Sequence, residues 1–98
     1  MSDWGLLTNH GRALLCLAQD PSGRVRDVAA CLGITERAAQ RIVTSLCEQG
    51  YLEKEREGRR NRYRLRRDRP MSDPLVEGRP VGDLAALVLD KRRSASAR

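Results

Sequence analysis

Apolar positions recur at helical spacing through the first half of the chain and then change to alternation. In "LLTNHGRALLCLAQDPSG", Leu7, His10, Leu14, Leu17 and Ala18 fall on one side of a helix that Thr8 or Asn9 can cap, and Pro21, Ser22 and Gly23 end it. Leu15 and Cys16 lie on the opposite side, so this helix is apolar nearly all round and has two surfaces to cover. In "RVRDVAACLG", Val28, Ala29 and Leu32 make a helix of barely two turns, too short to stand alone. Gly33 supplies the positive backbone angle that ends it, Ile34 is an apolar plug, and Thr35 caps the next helix. There Ala39, Ile42, Val43, Leu46 and Cys47 form one continuous stripe that closes at Gly50.

In "YLEKEREGRRNRYRLR" the period becomes two: Leu52, Tyr63 and Leu65 point one way, and Arg62, Arg64 and Arg66 the other. This predicts a hairpin with its turn over Gly58 to Asn61, Arg59 and Arg60 at the tip, and Arg62 just beyond. Val25 is a candidate for a short third strand. Pro70, Pro74 and Pro80 predict an extended run over the surface, and "VGDLAALVLD" a short helix too apolar to leave uncovered. The closing "KRRSASAR" reads as disordered. The predicted organisation is a first unit over 1–69, an extended segment and short helix over 70–90, and a basic tail over 91–98.

Composition sharpens the class. With 98 residues, no Phe, one Trp and two Tyr, a single core must be built from aliphatic side chains and alanine, which favours a mostly α domain. The net charge of +6 is unevenly spread. Residues 1–50 carry five basic and five acidic side chains, whereas 51–69 carry nine basic against four acidic. A cationic segment this concentrated points to a polyanionic contact surface. "MSDWGLL" lacks the basic start and long apolar run of a secretory signal, and no stretch has the length to span a bilayer, so a cytoplasmic protein without membrane contact is expected.

The polar face of the long helix is chemically pointed. Arg37, Gln40, Arg41 and Thr44 occupy the face opposite its apolar stripe, where lysine and glutamate pairs would serve solvation alone. Arginine and glutamine offer bidentate bonds to guanine and adenine edges, threonine can touch a thymine methyl, and a helix fits the major groove. No Ser or Cys nucleophile stands near a His and no paired carboxylates suggest a cleft, so no catalytic residue is expected. Cys16, Cys31 and Cys47 lie 15 and 16 residues apart, matching neither a disulfide framework nor a CxxC pair. Reduced thiols follow: Cys31 and Cys47 in the core, Cys16 on the second apolar side of its helix, and His10 on a helix face.

The order helix, short helix, turn, long helix, two-stranded hairpin resembles the winged helix-turn-helix domain of bacterial regulators such as the MarR-like and ArsR-like groups. Val28, Ala29, Leu32, Ile34, Ala39 and Ile42 stand where such motifs need apolar or small residues, and the resemblance covers about residues 6–66. It implies a mostly α fold, a three-helix core plus a small β-hairpin wing, here with a short C-terminal helix. It also implies a sequence-specific regulator of double-stranded DNA. The helix Thr35–Gln49 would enter the major groove, with Arg37, Gln40, Arg41 and Thr44 on bases and the Thr35 cap near a phosphate. Arg59, Arg60 and Arg62 of the wing would take the backbone and minor groove, with Arg64 and Arg66 solvating the outer face.

ArsR-like relatives sense metals through thiolates, but no cysteine here has a Cys or His at ligand spacing, and neither metal nor cofactor is expected. MarR-like proteins dimerise through long helices and bind effectors between them; this chain has one short apolar helix instead, which leaves any effector unknown. A homodimer is still expected, because operators present two half-sites. Leu15, Leu84, Leu87 and Val88 are its candidate contacts. The alternatives are a winged-helix adaptor that binds protein, and a thiol-based metal or redox sensor.

Overall fold

The computed structural model describes residues 5–89, folded as α1 (Asn9–Gln19), α2 (Val25–Leu32), α3 (Glu36–Glu48), β1 (Leu52–Glu57), β2 (Arg60–Leu65) and α4 (Val81–Leu89). The basic tail expected over 91–98 lies outside the described residues. The first three helices start where side chains satisfy free backbone donors. The Thr8 hydroxyl accepts the Gly11 N–H at 3.1 Å and the Thr35 hydroxyl that of Ala38 at 3.1 Å. In α2 the Asp27 carboxylate accepts the Arg24 N–H at 2.9 Å, while the Asp27 N–H returns to the Arg24 carbonyl. That exchange starts a helix at Val25, so Val25 adds no strand and the described sheet has two.

Gly33 sits at φ 72°, in the left-handed region, and hands α2 to α3 through one turn. The core between the helices is aliphatic: Leu14 and Leu17 of α1, Val28 and Leu32 of α2, and Ile42, Val43 and Leu46 of α3. Leu52, Tyr63 and Val81 close it from the hairpin and from α4. Leu7 and His10 are exposed, since one precedes the α1 cap and the other opens its first turn, beyond the edge of the core. Cys31 is exposed as well, off the buried α2 stripe, and is not the core residue the sequence suggested.

The antiparallel register pairs Leu52 with Leu65, Lys54 with Tyr63 and Glu57 with Arg60. The turn is therefore Gly58–Arg59 alone, with Gly58 at φ 64° in its first position, and Arg60 and Asn61 belong to β2. On the outer face Glu53, Glu55 and Glu57 oppose Arg64, Arg62 and Arg60. Arg62 reaches Glu57 at 3.3 Å, Arg64 bonds Glu53 and approaches Glu55 at 3.9 Å, and Arg66 lies 3.8 Å from Glu53.

Residues 66–80 do not run extended. Asp73 accepts the Leu75 N–H on its carboxylate and those of Val76 and Glu77 on its carbonyl, which curls the segment into turns. A bridge between Pro70 and Pro80 closes the loop, and the Tyr51 hydroxyl accepts the Ser72 N–H at 3.0 Å to hold it on the body. The loop delivers α4 onto α1. Leu15, on the second apolar side of α1, is 7% exposed within the one chain and is not available as the dimer contact expected of it. On α4 Leu84 and Val88 are half-buried and Leu87 is 62% exposed.

Two outcomes follow. Leu17→Ala, at a site 1% exposed, should cost about 2–5 kcal/mol in denaturant unfolding, whereas Leu75→Ala, at a site 94% exposed, should stay within about 0.5 kcal/mol. Bonding and charge from Arg64 hold the Glu53 carboxyl below its ordinary 4.5. Since the folded value is the lower one, this contribution is present above pH 4.5 and disappears as pH falls through the folded value. A carboxyl titration by NMR should find Glu53 titrating below 4.5, and Arg64→Ala should return it towards 4.5.

Candidate nucleic-acid interface

The helix α3 sorts its residues by side. Ala39, Ile42, Val43 and Leu46 are buried, and on the opposite side Arg37, Gln40, Arg41 and Thr44 are all exposed. None of the two arginines is ion-paired among the described residues. Gln40 donates through Nε2 to the Thr44 hydroxyl at 3.1 Å, one turn on. That bond fixes the amide and leaves its carbonyl oxygen and one N–H free, the pair that an adenine edge requires. The Thr35 oxygen is engaged in its cap, so its hydroxyl proton is what remains for a phosphate.

The hairpin is held against the α1–α2 turn. The Tyr63 N–H donates to the Pro21 carbonyl at 3.1 Å, its ring is buried, and the Arg60 guanidinium donates to the Ser22 carbonyl at 2.5 Å. Burial above all pushes the Tyr63 phenol upward, with Cys47 adding to the shift and a hydrogen bond with Asn61 opposing it. Between the hairpin, the start of α2 and α3 opens a cleft of about 380 Å³ lined by Arg24, Val25, Gln40, Arg59, Arg60, Asn61 and Tyr63. Gln40 of the long helix and the two arginines of the hairpin tip thus share one rim, while Arg37, Arg41 and Thr44 continue the exposed side of α3 outside the cleft.

The three wing arginines differ in situation. Arg59, second in the turn, has no ion-pair partner among the described residues. Arg60 has spent one terminal nitrogen on Ser22, and Arg62 is turned to the outer face with Glu57. Arg24 and Asn61 are the residues the sequence reading missed. Arg24 could have been found as the residue just before a helix, and Asn61 as the same-side neighbour of Tyr63 two positions away.

No cluster of three His, Cys, Asp or Glu side chains able to hold a metal occurs among the described residues. No helix there is long and apolar enough to cross a membrane.

Comparison with known proteins agrees with this arrangement. No curated protein matches the chain. Among solved structures, a point mutant of Lactococcus lactis ZitR is similar over 99% of this chain and 62% of its own, with 23% identity and a TM-score of 0.58. The zinc-dependent MarR family transcriptional regulator AdcR, in its Zn(II)-bound state, is similar over 100% of this chain and 66% of its own, with 21% identity and a TM-score of 0.53. At those identities the likeness is one of fold, and the chain spans less than two thirds of the length of ZitR. The MarR family model matches residues 4–62, the stretch that holds the helix-turn-helix and most of the hairpin, and the chain belongs to the MarR family.

Proposed function

We propose that this chain is a non-catalytic transcriptional regulator that binds double-stranded DNA in a sequence-dependent way. The observation that supports the reading is the cleft that Gln40 of α3 lines together with Arg59 and Arg60 of the hairpin, while Arg37, Arg41 and Thr44 are exposed on the same helix side as Gln40. In this reading α3 lies in the major groove and its four polar side chains meet base edges. Arg59 takes the backbone or the minor groove, Arg60 holds the wing at its angle while its remaining donors face phosphate, and Arg24 flanks the same strand. Arg62, compensated by Glu57, contributes little.

The regulator works as a homodimer in this proposal. With Leu15 covered, the contact falls to α4, where Leu87 is exposed beside half-buried Leu84 and Val88.

Fluorescence anisotropy against a pool of genomic duplexes tests the reading. Arg41→Ala should cost about 1–3 kcal/mol on the preferred duplex and relax its choice of sequence. Arg59→Ala should weaken all duplexes alike and reduce the logarithmic salt slope by about 0.9, with Arg62→Ala changing both far less. Binding that ignores ionic strength, or equal small effects from all three, would favour the protein adaptor. In light scattering the parent chain should have the mass of a dimer and Leu87→Glu that of a monomer; a monomeric parent at high concentration would remove the dimer.

A further inference from the structure

We infer that Gln40, held in place by Thr44, is a specificity-determining residue that selects an adenine in the preferred duplex; the inference rests on the DNA-binding reading above and names a base within it. Gln40 donates through Nε2 to the Thr44 hydroxyl at 3.1 Å. The two stand four residues apart, where helical neighbours meet, and both are exposed on the side of α3 opposite its buried stripe. A glutamine amide without such a bond can turn either its oxygen or its nitrogen to a given point. Donation to Thr44 removes that choice, and rotamer freedom that is otherwise lost on binding is already spent in the free chain.

One edge of the amide then remains, an oxygen that accepts beside an N–H that donates. Adenine offers the complement in the major groove: its N6 amino group meets the oxygen and its N7 meets the N–H. Guanine sets two acceptors there, O6 and N7, so the Gln40 oxygen faces another oxygen and one bond is lost. Cytosine supplies only a donor, and thymine only an acceptor. Thr44 is on this account a positioning residue. Its hydroxyl acts through Gln40, and its methyl is the part left to meet a base. Of the four polar residues on this side of α3, Gln40 alone lines the cleft, together with Arg59 and Arg60. The selected adenine therefore lies at the wing side of the base pairs that the helix spans.

The test selects preferred duplexes from a random pool on the full chain and sequences them, for the parent and for Gln40→Ala, Thr44→Val and Thr44→Ser. Valine keeps the methyl and loses the hydroxyl, and serine does the reverse. The parent should enrich one adenine that Gln40→Ala no longer enriches. In anisotropy on the selected duplex, guanine at that position should weaken the parent about tenfold. There 7-deazaadenine, which pairs normally but lacks N7, should weaken it about fivefold. Neither change should affect Gln40→Ala. Thr44→Val should close most of the gap between adenine and guanine while its binding stays salt-sensitive, and Thr44→Ser should preserve the gap. Circular dichroism of each variant, matched to the parent, separates lost choice from lost fold. Another base enriched at the Gln40-dependent position, no such position, or an undiminished gap in Thr44→Val would overturn the assignment and leave the DNA-binding reading standing. A parent chain that binds no duplex would overturn both.

Discussion

The docking of Tyr63 is the contact on which the functional geometry depends. A two-stranded hairpin has too little buried surface to hold a direction by itself. Here its direction is imposed by one ring 3% exposed in the helical core and by a main-chain bond from the same residue to Pro21. Arg60 adds a second tie to the neighbouring Ser22 carbonyl. The α1–α2 turn is thus the abutment against which the wing leans, and the width of the cleft beside Gln40 follows from it. Fold stability and interface geometry meet in one residue.

The helical half of the molecule was legible because its signals are local. Thr8, Thr35 and Gly33 mark helix ends by side-chain and backbone chemistry that acts within three or four residues, and the α3 stripe states its own period. Where long-range contact decides, the reading faltered. The hairpin turn closed two residues earlier than expected because Gly58 at positive φ takes the first turn position, which moves Arg60 and Asn61 into the strand. The prolines suggested an extended segment, but Asp73 and Tyr51 fold it, and neither has a periodic signature. That fold brings α4 back over α1.

The interface residues of α3 were visible as a set because one helix side displays them together. The wing was less so, since an arginine count says nothing about pairing. Of the nine basic residues over 51–69, Arg62, Arg64 and Arg66 face glutamates across or along the sheet. The local excess of charge is therefore not a uniform patch; compensation on the outer face leaves Arg59 and Arg60 at the tip, lining the cleft and without an ion pair among the described residues. A ligand approaching the cleft meets a focused field instead of a broad one.

The same rows of alternating acids and bases have a consequence for association. Both strands are edges, with backbone donors and acceptors open to any passing extended segment. A copy of the hairpin adding β1 to β1, or β2 to β2, would set carboxylates or guanidiniums against their own kind on the outer face. Symmetric edge-to-edge joining of two copies is thereby discouraged.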